Sequence, residues 1–308
     1  MNAGAKVKLL LKRPRINAAA KAHSTHPIWF IVPAFFFLII FFIVPTVLNF
    51  VYSFTDWSSF KTEVNFSGFS NFTQLFSSGN LVADLRITIL YAVLVAVFQN
   101  LFGFALALLL ERDTLLNRIA RAAFFIPVIM SALAVGYVFQ AVLEPKGPVN
   151  SLFSFILGRP VEIPWLYDTS WTIVVVSVIH AWKWMGLAML IFLAGLKTID
   201  GEVLEAARID GASWFQTLRT IRFPLLAPAI TFNVATSLLG SMNSFDIVQA
   251  TTQGGPGGTT ELLNIYIVRA FGQGLFAQAT AMSLVLLIMV MVLAFPLIWS
   301  LRKREQIL

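Results

Sequence analysis

Six apolar runs constrain this chain more than any other feature of it. They lie at about 28–52, 87–110, 119–143, 171–196, 225–250 and 277–301. Roughly 20 apolar residues in a helix cross the hydrocarbon of a bilayer. With no water to satisfy backbone polar groups there, runs of this kind can fold only as helices. Composition agrees, since mean hydropathy is +0.80 and only 12% of residues are charged, about half the share of a soluble domain. The expected fold is an all-α integral membrane protein with about six transmembrane helices.

The basic residues set its orientation. With the N-terminus inside, sixteen of the 22 Lys and Arg fall on cytoplasmic segments, five on outer ones, and Lys183 within a span. That asymmetry predicts both termini in the cytoplasm. Residues 1–27 then form a basic cytoplasmic tail, 28–301 the six-span region, and 302–308 a short cytoplasmic C-terminus. The apolar run behind the tail is longer than a signal-peptide core, so the first span is expected to be retained. The net charge of +7 needs no nucleic-acid partner, because the charges cluster at span ends. Pro33, Pro45 and Pro127 are expected to kink or loosen their helices.

Catalytic chemistry finds little support. There is no cysteine, hence no disulfide, thiol nucleophile or Cys-based metal site. No Walker A pattern occurs, so any ATP hydrolysis must come from another chain. Gly254–Thr260 is glycine-rich but lacks the lysine of a phosphate-cradling loop and reads as a flexible turn. His23 and His26 have a spacing that could seat a metal, but no other ligand stands near them. No catalytic residue, metal or bound cofactor is expected on this chain.

The informative polar residues lie in the spans. Asn233, Ser237, Gly240, Ser241 and Ser244 recur at three- and four-residue intervals along one helix face. Such a face serves either close helix packing or the wall of a wet cavity that hydrogen-bonds a hydroxyl-rich solute. Lys183, between Trp182 and Trp184, stands mid-span, where an ammonium costs on the order of 2.5–3.5 kcal/mol. Either it faces a partner or an aqueous cavity, or the span is shifted and the side chain snorkels. The indoles could stack on sugar rings or shield the ammonium.

Between the fourth and fifth spans, 197–224 is amphipathic and mixed in charge. Val203–Ile209 suits a short helix, Asp210-Gly211 a stop and turn, and Ser213 the cap of a second helix that Pro224 ends. By pattern this is either an ordinary surface loop or a helix-turn-helix built to dock. Its Glu205-Ala206-Ala207, Asp210-Gly211-Ala212 and Ile221-x-Phe223-Pro224 resemble the Glu-Ala-Ala loop of permease subunits in binding-protein-dependent ABC importers. Members of that family often carry Pro near Asp200, Tyr at Leu204 and Leu at Phe223, so this chain departs mildly from the pattern.

The resemblance covers roughly 28–301. Phe125-Ile126-Pro127 with Ala134-Val135-Gly136, Trp182 with Gly186 and Phe192–Leu196, and Phe245-Asp246-Ile247 with Gly254-Gly255-Pro256 are similar to the carbohydrate-uptake branch. Within it the chain resembles the larger maltose permease or the first glycerol-3-phosphate permease. The resemblance implies alternating access for a sugar or sugar derivative in a prokaryotic cytoplasmic (inner) membrane. It also implies a second, distinct permease, two ATP-binding subunits that hold ATP and Mg, and an extracytoplasmic solute-binding protein, all amid membrane lipid. Glu205, Ala206, Ala207, Ile209, Asp210, Gly211 and Pro224 would then couple to the ATPase. Asn233, Ser237, Ser241, Ser244, Trp182, Lys183 and Trp184 are the candidates for the solute pathway. The competing classes are an ATP-independent secondary transporter or channel, and a membrane scaffold or receptor.

Overall fold

The computed structural model describes Trp29 and residues 31–305, so the basic tail with His23 and His26 lies outside the described residues. Every regular element among them is helical. The chain divides into two compact units, one ending at Leu48 and the other starting at Asn49. Helix α1 (Val32–Tyr52) spans that boundary and widens into a π-turn over Ile39–Ile43. Pro45 follows two residues later, where its missing N–H loosens the coil without breaking it.

The remaining helices are α2 (Ser70–Ser77), α3 (Asn80–Leu109), α4 (Leu115–Ile129), α5 (Ala132–Val142), α6 (Pro148–Leu157) and α7 (Thr172–Lys197). After them come α8 (Gly201–Ile209), α9 (Trp214–Leu225), α10 (Ala227–Met242), α11 (Asp246–Thr251), α12 (Leu263–Gly272) and α13 (Phe276–Glu305). By length and composition α1, α3, α7 and α13 can each cross a membrane alone. The bent pairs α4–α5 and α9–α10 bring the number up to six. The last helix runs on through Glu305, so Arg302 and Lys303 belong to it and not to a separate tail.

Two of the expected spans are broken. Hydropathy at 119–143 reads as one kinked helix, but α4 and α5 meet at 100°. Met130 and Ser131 both leave the helical region there, with ψ of 149° and 134°. In the other pair Pro224 does not end the second helix of the loop, which passes through it to Leu225. A π-turn over Leu218–Arg222 widens the coil just ahead of the ring, and the Phe223 N–H donates to the Leu218 carbonyl. The proline's missing donor therefore falls where the helical ladder is already displaced. The break comes at Leu226, with a bend of 68°. The fifth span then stops at Met242, and α11 is a separate helix.

In the second unit α3 lies along α7, and α10 packs on α3. Tyr91, Val176, Ile179 and Ile247 form one buried group, while Met189, Phe192, Leu196 and Leu226 form another. In lipid such contacts hold by van der Waals packing and close approach, because the surrounding tails are as apolar as the side chains. The connection after α1 is pinned by Lys61, which donates to Asp56 at 2.6 Å. That hydrogen bond, with one from the Asn65 N–H, holds the Asp56 carboxyl below its ordinary range.

Candidate functional site

Local chemistry builds the α8–α9 hairpin. The Asp200 carboxylate accepts from the Glu202 N–H at 3.0 Å and caps α8. Ser213 and Gln216 form a reciprocal capping box at the start of α9. Between them Gly211 takes a φ of +77°, and the Ala212 N–H closes back on the Ala207 carbonyl at 2.9 Å. Glu205, Ala206 and Asp210 are exposed, and Ile209 is 86% exposed. Ala207, taken from the sequence as part of the docking face, is instead turned inward and 7% exposed. The apolar surface here comes from Ile209, Val203, Trp214 and Phe215.

The hairpin is tied to the bundle at its far end. Arg222 Nη1 meets Glu111 Oε2 at 2.8 Å, just beyond the end of α3. Phe223 sets its ring edge-on to Phe104 of α3 at 6.1 Å. Both contacts reach the end of α3, which forms one wall of the cavity described next.

That cavity, of 230 Å³, opens between α3, α7 and α10 and is lined by Gln99, His180, Trp184, Leu187, Thr236, Ser237 and Gly240. The polar stripe divides around it, and Ser244, expected on the same helix face, lies beyond the end of α10 at Met242. Ser237 and Gly240 reach the wall, and the Asn100 amide donates to Ser237 Oγ at 3.1 Å. Asn233 is turned into the helix contact, where its amide donates to the Ala188 carbonyl at 3.2 Å. Ser241 donates to the Leu238 carbonyl within its own helix at 3.0 Å. Ser244 Oγ stands 3.5 Å from His180 Nδ1, and the Tyr91 hydroxyl is 2.8 Å from the same nitrogen. Packing and cavity lining thus share a single stripe.

Lys183 does not line the cavity. It is 2% exposed, and its Nζ donates to the Val128 carbonyl at 3.1 Å. Val128 is in the last turn of α4, where carbonyls lack intrahelical partners and a cation also suits the helix dipole. The ammonium lies 4.2 Å from the Trp184 ring centroid, so one face of that indole shields a charge. Trp182 packs edge-on against Phe139 at 5.2 Å, away from the lining. Lys183→Met is accordingly expected to leave the ratio of anionic to neutral solute uptake unchanged. It should lower thermal stability by about 1–3 kcal/mol through the carbonyl left unpaired. A shifted uptake ratio would contradict this placement.

Sequence reading missed Gln99, His180, Leu187 and Thr236 as lining residues. One signal was available: His180, Trp184 and Leu187 stand at i, i+4 and i+7, one face of α7. The lining offers an amide, an imidazole, two hydroxyls and an indole, with no carboxylate or ammonium. Such a set hydrogen-bonds hydroxyls and packs on a ring face. Among the described residues no group of three or more His, Asp or Glu gathers in a metal-binding arrangement.

Residues 99–305 match the family model described as "Binding-protein-dependent transport system inner membrane component". The probable ABC transporter permease protein y4oQ of Sinorhizobium fredii is 32% identical over 89% of this chain and 89% of its own length. The probable starch degradation products transport system permease protein AmyD of Thermoanaerobacterium thermosulfurigenes is 30% identical, covering 90% of this chain and 94% of its own. For the lactose transport system permease protein LacF of Rhizobium radiobacter the identity is 29%, with the same shares. Among solved structures, the fold is similar to a chain of a bacterial alginate ABC transporter in complex with an alginate pentasaccharide-bound periplasmic protein. That match has a TM-score of 0.74 and 21% identity, covering 90% of this chain and 93% of the other.

Proposed function

As a member of the family of binding-protein-dependent transport system inner membrane components, the chain is the multi-pass permease subunit of an ABC importer, and we propose that its solute is a sugar or sugar derivative. Family membership decides against the secondary-transporter, channel and scaffold readings. The observation that carries the sugar is the uncharged, hydroxyl- and indole-bearing lining of the cavity between α3, α7 and α10. The names of AmyD and LacF point the same way.

In this reading Ser237, Thr236, Gln99 and His180 hydrogen-bond the solute, and Trp184 packs on its ring. Asn233 and Ser244 hold the cavity walls together, and Ser241 bonds within its own helix. The chain works beside a second, distinct permease and two ATP-binding subunits that hold ATP and Mg, in a prokaryotic inner membrane. Both termini are cytoplasmic, which the distribution of Lys and Arg supports. The α8–α9 hairpin is the coupling element. Glu205, Asp210 and the exposed apolar side chains, with Ile209 foremost, meet the ATPase. The Arg222–Glu111 pair passes its movement to α3.

Gly240→Phe tests the cavity. A Cβ added at Gly240 meets nothing within 4 Å, and the residue lines the cavity, so the ring is expected to occupy solute space. Uptake of the transported sugar should fall about tenfold or more with assembly and basal ATPase unchanged. Normal uptake by that variant would remove the cavity from the pathway.

A further inference from the structure

A second cavity, of 590 Å³, lies away from the solute site. The N-terminal turns of α3, the Gly257–Thr259 loop and α12 line it. Three charged side chains border it. Arg269 Nη1 pairs with Glu261 Oε1 at 2.7 Å, and a Cβ built on Gly258 would stand 3.8 Å from Glu261 Oε2. Asp84 is 4% exposed, and its Oδ2 is fully buried with no hydrogen-bond partner. Two carboxyl groups and one guanidinium thus share the lining.

An unpaired buried carboxylate beside a second one is costly, by desolvation and by like-charge repulsion. The backbone around it is held in place. The Leu263 N–H donates to Thr88 Oγ1 at 3.0 Å and locks the start of α12 onto α3. The Gly254–Thr260 loop, which reads as a flexible turn in the sequence, is in fact tied to itself. Thr260 Oγ1 donates to the Gly255 carbonyl at 2.6 Å and stands 2.7 Å from Thr252 Oγ1. Gly257 and Gly258 meet the cavity only with backbone, so the wall there carries no bulk. Tyr266, also on the wall, feels the local field. Burial raises its phenol above the ordinary range, and the negative charges of Asp84 and Glu261 raise it further against the opposing Arg269.

We propose that this cavity is a binding site for a hydrated divalent cation of the magnesium or calcium class, held by Asp84 and the free oxygen of Glu261. Hard cations take carboxylate, carbonyl and water oxygens, and magnesium in particular keeps several waters while using one or two carboxylates. The chamber has room for such a water shell. A bound ion satisfies Asp84 and fixes the α3–α12 contact, giving the rim of the bundle a dependence on divalent ions separate from the ATPase.

The probe is Mn²⁺, followed by the loss of its free paramagnetic resonance signal. The protein is the nucleotide-free full importer complex in phosphatidylcholine nanodiscs, so that neither nucleotide nor anionic lipid takes up the ion. One Mn²⁺ per chain is expected, displaced by excess Mg²⁺ or Ca²⁺ and not by Na⁺. Asp84→Asn and Glu261→Gln should each weaken binding about tenfold or more. Glu261→Gln keeps size and shape near the surface, so it stands as the test should the Asp84 variant fail to fold. Binding absent from the wild type, or unchanged in Glu261→Gln, overturns the proposal. So does a result in which no ion binds and Asp84→Asn weakens only the docking of the binding protein, since the cavity would then be filled by a basic side chain of that partner.

Discussion

Gly211→Val is expected to yield a complex that assembles in full and no longer transports. Gly211 holds a φ of +77°, and a Cβ built there meets nothing within 4 Å. The obstacle is therefore torsional. In the left-handed region a Cβ crowds the following carbonyl at a cost of roughly 1–2 kcal/mol, and β-branching worsens it. An energy of that size shifts the population of the native hairpin by a factor of about 5–30. The turn aims α9 relative to α8, so the exposed faces of Ile209 and Trp214 lose their mutual setting while the packing of α3 on α7 is left in place. Solute-stimulated ATP hydrolysis and vesicle uptake should both collapse, with subunit stoichiometry preserved on copurification. Gly211→Asn, which tolerates this backbone region better than other side chains, should retain much of the activity. Wild-type uptake by the valine variant would mean that the hairpin is not the coupling element.

Gly186→Val should fail at an earlier stage, in the packing of the bundle. A Cβ on Gly186 of α7 runs into the carbonyl oxygen of Phe124 and stands 2.9 Å from both the Phe124 carbonyl carbon and Phe125 Cα. These are backbone atoms of α4, so no rotamer change relieves the clash and the helices must separate. Overpacking of this kind costs about 1–3 kcal/mol, occasionally more. Here it also pulls the last turn of α4 away from Lys183, which donates to Val128. The expected outcome is low yield in the membrane and a markedly lower melting temperature in detergent. Gly186→Ala should show a weaker form of the same defect. Gly240→Ala, where a Cβ has open space, should show none. A normal melting curve for Gly186→Val would show that α4 and α7 do not pack as described.

Much of this molecule is legible without coordinates, because the signals concerned are local. A run of apolar residues spans lipid whatever its neighbours, since only a helix satisfies its own backbone there. The hairpin is equally self-contained. Asp200 and Ser213 cap the next few N–H groups, and Gly211 supplies the one backbone angle that the turn demands. The α10 stripe is a matter of spacing, and spacing predicts that Asn233, Ser237 and Ser241 share a face.

Spacing does not say what that face meets. The breaks at Met130 and Leu226 leave no mark in hydropathy, yet they set the direction of α5 and α10 and hence the walls of the cavity. Lys183 reads as a costly charge until Val128, 55 residues earlier in the chain, supplies its acceptor. Ala207 belongs to the docking motif by order in sequence and is buried by the rotation of α8. Asp84 and Glu261 approach one another because α12 folds back on α3. Each of these depends on where a distant segment lands, and that is decided by the packing of bent helices against one another, a cooperative property no window of neighbouring residues contains.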